Sequence, residues 1–183
     1  MTQRRMSPLY YRALASIAAL TLCSALSGCG SSDGQREYTV PSSLCGTPIG
    51  GDALDPFFSP GKEISTSEKD GSSIKSCSVT VDNKVIITTT QEWVEGEKST
   101  AYFAAALTLE DLDHSHDNGR FLYTATEAFG KTRNCVDERY ERELYVGIQV
   151  WDPEHKDAEG MKQAIVAYTG EVEQSAECTE GFS

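Results

Sequence analysis

The sequence predicts an α+β fold: a single domain with a mostly antiparallel sheet of four to five strands, two helices packed on it, and two disulfides. Three observations lead to this prediction. Short segments rich in β-branched residues alternate apolar and polar side chains, which is typical of half-buried strands. Two longer segments place apolar residues three and four positions apart, which is typical of amphipathic helices. Four cysteines remain in the part of the chain expected to fold, and an even number fits a disulfide framework.

The strands are predicted in two groups. Asp82-Asn83 is a turn-forming pair, so the two segments that flank it are expected to form a hairpin. The last segment is the clearest strand, because its apolar residues from Leu144 to Val150 alternate with other side chains and so share one face. The five predicted strands cover 74–81, 84–90, 121–126, 131–136 and 142–151.

Two helices are predicted between and after these strands. The first spans 99–112, with Ser99 or Thr100 as its N-cap. The second runs from about Asp157 to Glu177, and either Asp152-Pro153 or Asp157 marks its start. Its apolar residues form one stripe, which would pack on the sheet. The members of that stripe are Ala158, Met161, Ile165, Tyr168 and Val172.

Two connecting segments are predicted to be loops. Residues 62–73 are polar, rich in Ser, Lys and Glu, and show no strand alternation. Residues 113–119 end in Asp117-Asn118-Gly119, residue types that tolerate a positive φ in turns. Both segments are therefore expected to lie outside the sheet.

The first 28 residues are predicted to be an export signal. Arg4, Arg5 and Arg12 precede an apolar run of 14 residues that ends at Leu26. A transmembrane helix needs about 20 apolar residues, whereas the core of a signal peptide needs roughly 7–15. The run therefore fits a cleaved signal better than an uncleaved membrane anchor.

The end of this segment resembles the lipobox of bacterial lipoproteins, since Leu26-Ser27-Gly28 precedes Cys29. In that family the cysteine thiol receives diacylglycerol and the signal is cut before it. The cysteine placement further along also resembles that of small actinobacterial lipoproteins, most of unknown function. The resemblance implies a signal peptide over 1–28, a lipidated Cys29 with a flexible tether over 29–43, and an extracytoplasmic domain over 44–183. An ordinary secretory signal with a chance cysteine is the alternative.

The resemblance also implies a location and a partner. The domain would stand on the outer face of the cell membrane, held there by the lipid on Cys29. One acyl chain anchors a protein weakly, whereas two or more hold it stably. The resemblance transfers no catalytic residue to this chain.

The remaining cysteines are Cys45, Cys77, Cys135 and Cys178. Exported proteins meet an oxidising compartment, so two disulfides are expected, and four cysteines allow three pairings. Cys45–Cys77 with Cys135–Cys178 is preferred because closing the shorter loops costs the least chain entropy. The wide spacing and the absence of a Cys-x-x-Cys motif argue against a zinc site or a redox dithiol.

The charge excludes one class of partner. The chain has a formal net charge of −12 and a pI near 4.6, and the arginines of the export signal leave with it. A nucleic-acid-binding protein needs a basic face to neutralise phosphates, so no nucleic-acid partner is predicted. The many carboxylates are interpreted as a solvated surface. The more specific alternative is an acidic patch that binds calcium or a cationic partner.

The best candidate for chemistry is a metal site at His114 and His116, completed by Asp113. Two imidazoles with a carboxylate suit zinc or copper. The alternative is a solvated turn between a helix and a strand. The chain has no phosphate-binding loop, no His-Glu-x-x-His motif and no nucleophile elbow, so no catalytic residue and no cofactor is predicted.

Aromatic residues offer another candidate site. Five of them could line a groove for a sugar or a peptide, although aromatic residues on strands more often pack in a core. The five are Trp93, Phe121, Tyr123, Tyr145 and Trp151.

The leading functional hypothesis is a surface-exposed lipoprotein with a non-catalytic domain that binds an unidentified ligand or partner. A cell-envelope enzyme is the first alternative. A metal-binding lipoprotein that uses His114 and His116 is the second.

Overall fold

The computed structural model describes residues 35–49, 51–152 and 154–180. The chain divides into two units, Met1–Asp33 and Gly34–Ser183, and the first lies wholly outside the described residues. The predicted export signal and Cys29 therefore lie outside them as well. Of the tether predicted over 29–43, Arg36 already forms a backbone bridge with Gly61 and an ion pair with Asp55.

The described part of the chain is α+β, as predicted, and its main element is a seven-stranded sheet in which every neighbouring pair is antiparallel. A separate two-stranded ladder precedes it. The strands are β1 Ser43–Leu44, β2 Thr47–Pro48, β3 Ile64–Asp70, β4 Ile74–Val81, β5 Lys84–Glu95, β6 His114–His116, β7 Phe121–Tyr123, β8 Glu127–Asp137 and β9 Arg142–Val150. Their order in the main sheet is β3-β4-β5-β9-β8-β7-β6.

The prediction of four to five strands was wrong, because both segments interpreted as loops contribute edge strands. β3 lies within residues 62–73 and pairs with β4 along its whole length, from Ile64 opposite Val81 to Asp70 opposite Lys75. β6 lies within residues 113–119 and pairs with β7. An edge strand is held by its backbone ladder on one side, so it can form without the apolar alternation that marks a buried strand.

The helices are shorter than predicted. They are α1 Gly51–Leu54, α2 Thr100–Ala104, α3 Ala158–Val172 and α4 Ala176–Glu180, with a 3-10 turn at Asp55–Phe57. Ser99 caps α2 as predicted, because its side chain accepts a hydrogen bond from the Tyr102 N–H. α2 nevertheless ends at Ala104 instead of 112, and Leu109 is fully exposed.

The apolar spacing in 99–112 was misleading. Tyr102 is 58% exposed, whereas the neighbouring Phe103 is buried. The helix residues that pack in the core are Phe103 and Ala104, and not the members of the apolar stripe that the spacing indicated within α2 and just after it. That stripe consisted of Tyr102, Ala105, Ala106, Leu109 and Leu112, of which only Leu112 packs against this core.

The main core lies between one face of the sheet and α3. Asp157 caps α3 by accepting a hydrogen bond from the Gly160 N–H. The predicted stripe of α3 faces the sheet, and its last four members are at most 1% exposed. The alternating residues of β9 from Leu144 to Val150 meet this stripe and are also buried. We call this side of the sheet the helix face.

A smaller core lies on the opposite face, beneath α2. The ring of Phe103 contacts those of Phe129 and Tyr145, with centroid distances of 6.0 and 5.3 Å. Gly147 makes room for this contact, since a Cβ there would lie 3.1 Å from the Phe129 ring. This second core covers only the β8 and β9 side of the opposite face.

The two disulfides have the pairing preferred from the sequence. Cys45 joins Cys77 and ties the turn between β1 and β2 to β4, whereas Cys135 joins Cys178 and ties β8 to α4. The Cα–Cα distances are 5.8 and 4.7 Å. Both lie in the range that a disulfide spans without moving the backbone. Among the described helices, none combines the length and hydrophobicity that crossing a membrane requires.

Candidate functional site

The two histidines predicted as metal ligands lie on edge strand β6 instead of in a loop, and Asp113 directly precedes this strand. The rings of His114 and His116 stack on those of Tyr123 and Phe121, with centroid distances of 5.2 and 6.1 Å. Asp113 approaches His114 at 3.5 Å. Within the part of the chain that the structure describes, no three His, Cys, Asp or Glu residues are placed so that they could hold a metal ion.

Acidic side chains near the β8–β9 turn are engaged in ion pairs. Asp137 pairs with Arg142, and Glu143 pairs with Lys131, each at 2.6 Å. The hydrogen bond from Arg142 holds the pKa of the Asp137 carboxyl below its usual value. These carboxylates therefore tie neighbouring strands together, as charge-assisted hydrogen bonds do.

Asp152 follows β9 and is only 7% exposed. It accepts a hydrogen bond from the Ser59 hydroxyl and another from the backbone N–H of Glu154 at 3.1 Å. His155 Nδ1 lies 3.5 Å from the same carboxylate. Burial acts to raise the pKa of Asp152, but the two hydrogen bonds and the charges of Lys84 and His155 outweigh it. The pKa therefore lies below its ordinary value.

These groups border a surface cavity of about 340 Å³, yet they do not form a catalytic triad. A triad places the imidazole between the hydroxyl and the carboxylate, so that the imidazole takes the hydroxyl proton. Here the Ser59 hydroxyl donates directly to Asp152. The arrangement ties the segment after the 3-10 turn to the end of β9, and the imidazole of His155 does not stand between the hydroxyl and the carboxylate.

The predicted aromatic groove is not assembled. Of its five members, Trp93, Phe121, Tyr123 and Tyr145 are at most 9% exposed, because they belong to the two cores. Trp151 differs, since it is 51% exposed. It follows β9 on the face opposite to α3.

The open part of that opposite face is covered with hydroxyl groups. The register places seven Ser and Thr side chains of three adjacent strands on this one face, of which Thr90 is buried and the other six are accessible. They are exposed on β3 and half-buried on β4 and β5. We call this surface the hydroxyl face, and it consists of Ser65, Ser67, Ser76, Ser78, Thr80 and Thr88.

The hydroxyl face has few internal partners. Among these six residues, only the Thr88 hydroxyl forms a side-chain hydrogen bond with another described residue, and its donor is the indole N–H of Trp151 at 3.0 Å. The other five hydroxyls are therefore left to solvent or to a ligand. A hydroxyl both donates and accepts hydrogen bonds, so such a surface can bind the donor groups and the acceptor groups of a polar ligand.

The surface is also nearly free of charge. On this face of β3, β4 and β5, the charged side chains are Lys69, which lies directly opposite Ser76, and Glu92, which lies in the next row of this face opposite Ile74. The positive charge of Lys69 and the negative charge of Glu92 leave this face without a formal net charge. Burial raises the pKa of the Glu92 carboxyl, which shows that its surroundings disfavour the ionised form.

One row of the hydroxyl face continues under the second core. Thr88 pairs with Gln149, which pairs in turn with Glu127 on β8. The Gln149 amide donates to the Glu127 carboxylate at 2.9 Å, and both side chains are 8% exposed. The segment after α2 covers them, since the Leu107 carbonyl accepts a hydrogen bond from Gln149 at 3.4 Å.

Sequence reasoning missed the hydroxyl face because it treated β3 as a loop. A signal was present: Ser and Thr recur at every second position in 65–67, 76–80 and 88–90. That alternation predicts a hydroxyl-bearing strand face, but it does not say that three such strands are neighbours.

Comparisons with protein-family models, with curated proteins and with solved structures find no match to this chain. The assignment of a function therefore depends on the residues and their geometry.

Proposed function

We propose that this protein is a lipid-anchored binding protein of the cell surface. Its domain stands on the outer face of the membrane and binds a ligand or partner without catalysing a reaction. The observation that carries the binding part is the open hydroxyl face, on which five of six hydroxyls have no side-chain partner among the described residues. The helix face of the same sheet, by contrast, is filled by α3 and the main core.

The anchoring part is supported by the sequence before the domain. The apolar run is short, and Leu26-Ser27-Gly28 precedes Cys29.

The hydrogen bonds of two acidic side chains in the domain support the non-catalytic part. The carboxylates of Asp137 and Asp152 are occupied by strand-to-strand or loop-to-strand hydrogen bonds, and Asp152 is not part of a catalytic triad.

Detergent phase partition tests the anchor. The wild-type protein should enter the detergent phase of Triton X-114, because a diacylated cysteine is strongly apolar. Cys29→Ala should move the protein to the aqueous phase or block its processing. Cys23→Ala is the matched control, since this cysteine lies within the segment predicted to be removed, and the variant should behave as wild type. A processed Cys29→Ala protein that stays in the detergent phase refutes the anchor.

Site-directed crosslinking on intact cells tests the binding surface. A photoreactive amino acid at Ser78 should yield an adduct, because Ser78 is at the centre of the hydroxyl face. The control position is Gln163, which is exposed on the outer side of α3. Adducts of equal yield from both positions, or none from Ser78, would count against a specific binding surface.

A further inference from the structure

We infer that the ligand is a neutral glycan, bound across the hydroxyl face with the Trp151 ring as its platform. This inference rests on the proposed function and names the ligand class of the same surface. The geometry of Trp151, the spacing of the hydroxyls and the charge of the face support it.

Trp151 is held in position before any ligand arrives. Its indole N–H donates to the Thr88 hydroxyl, while 51% of the residue stays exposed. An apolar ring at the surface of an exported protein offers a flat contact for the C–H face of a sugar ring. Because the hydrogen bond already orients the indole, binding would lose little side-chain entropy there.

The hydroxyls form a row that begins beside this ring. Thr88 lies directly opposite Ser78, and Ser78 lies directly opposite Ser67. Neighbouring strands are about 4.8 Å apart, so the row extends roughly 10 Å away from the indole. This length suits an oligosaccharide of a few rings, in which each successive ring presents further hydroxyls.

The chemistry of the row also fits a sugar. Sugar hydroxyls donate and accept hydrogen bonds, as do Ser and Thr hydroxyls, whereas a carboxylate only accepts and an ammonium only donates. The hydroxyl face would therefore pair with a polyol without leaving a buried donor or acceptor unsatisfied, which would reduce the binding free energy.

The charge of the face selects among glycans. The chain is strongly acidic, with a formal net charge of −12, yet the charged side chains on this face of β3 to β5 are Lys69 and Glu92. A cationic partner would bind better at the acidic surfaces elsewhere, and a polyanionic glycan would be repelled by the domain as a whole. A neutral glycan meets neither penalty.

Affinity gel electrophoresis tests the inference with defined probes. The full mature lipoprotein is kept in a detergent without sugar headgroups and run through native gels that contain one polysaccharide each. The neutral probes are mannan, dextran, laminarin and arabinogalactan, and the acidic probes are alginate and polygalacturonate. We expect at least one neutral polysaccharide to retard the wild-type protein, and neither acidic one to do so.

Variants locate the binding surface. Trp151→Ala should weaken binding to the retarding polysaccharide at least tenfold, and Ser78→Ala should weaken it roughly two- to tenfold, the loss of one net hydrogen bond. Trp151→Phe keeps an apolar ring and should retain more affinity than Trp151→Ala. Tyr140→Ala is the matched control, because Tyr140 is 53% exposed but lies on the turn between β8 and β9. It should bind as wild type.

Several outcomes would overturn the inference. They are retardation by no neutral polysaccharide, retardation only by the acidic probes, or equal binding by wild type and Trp151→Ala. Ser78→Ala changes an accessible side chain, so it keeps the test decisive if Trp151→Ala does not fold. A crosslinked protein or second copy at Ser78, without glycan binding, refutes the glycan but leaves the proposed binding function standing. An absence of both refutes the two together.

Discussion

The hydroxyl of Tyr168 should contribute measurably to the stability of the main core. This side chain of α3 is 1% exposed. Its hydroxyl accepts a hydrogen bond from the Gln91 amide at 2.9 Å and donates one to Thr89 at 3.2 Å. Both partners are on β5 and are themselves buried. Tyr168→Phe removes the two hydrogen bonds and leaves the ring packing intact.

The expected loss follows from the number of bonds. A buried hydrogen bond contributes about 0.5–1.5 kcal/mol net, so two of them make the free energy of unfolding about 2 kcal/mol lower in Tyr168→Phe. For a domain of this size, such a loss lowers Tm by roughly 4–8 °C. Tyr145→Phe is the matched control. Tyr145 is equally buried, but its main hydroxyl bond goes to the Lys98 carbonyl at 2.5 Å, so about 1 kcal/mol is expected.

Urea denaturation with the disulfides intact measures these differences. The pH dependence offers a second readout, because burial raises the pKa of the Tyr168 phenol, and its hydrogen bonds reverse this only in part. The unfolded chain would then lose the phenolic proton first, near pH 10, so the free energy of unfolding falls as the pH rises above that value. The fall should be shallower in Tyr168→Phe. Equal losses in the two variants, or a Tyr168→Phe loss below about 0.5 kcal/mol, would refute this account of the core.

Three further predictions concern other parts of the fold. Gly170→Ala should raise the free energy of unfolding by about 0.5–1 kcal/mol in urea titrations, since a Cβ at this helix position meets nothing within 4 Å. Gly130→Ala should lower the free energy of unfolding, because a Cβ there would lie 2.9 Å from the nearest side chains. A reversed order would contradict the packing of α3 on β8. The stability that ionised Asp152 contributes is present above about pH 4, and it is lost as the pH falls through the lowered pKa of the folded state. The stability of Asp152→Asn should therefore depend less on pH in this acid range, which circular dichroism during acid unfolding measures. Replacing His114 and His116 by Ala should leave the zinc content of the purified protein unchanged, since no three His, Cys, Asp or Glu residues in the described part of the chain are placed to hold a metal ion. A lower zinc content on mass spectrometry would restore the metal hypothesis.

Several features of the fold could be predicted from residues that are close together in the sequence. The apolar alternation in β9 identified its buried face, and the stripe of α3 identified the side that meets the sheet. Asp157, one of the two starts predicted for α3, caps the helix, and it could be proposed from sequence because capping depends on neighbouring residues. The disulfide pairing followed from chain separation, since the cysteines close in sequence are also the ones that meet.

The edge strands could not be predicted in the same way. Nothing in residues 64–70 alternates between apolar and polar, and their strand character comes from pairing with β4. The helix predicted over 99–112 failed for a related reason. Its apolar spacing was compatible with a helix, but Phe103 is the residue that packs on Phe129 and Tyr145, and the chain turns away after Ala104.

The sequence by itself determined that this protein has an α+β domain with two disulfides, and it predicted an export signal and a lipid anchor before that domain. These features depend on composition, on short motifs and on the periodicity of single segments. Only the tertiary structure decided that β3, β4 and β5 are neighbours and that their Ser and Thr side chains form one surface beside Trp151. The physical reason is that each strand specifies which of its residues share a face, whereas the order and register of the strands depend on how the whole chain buries its apolar surface.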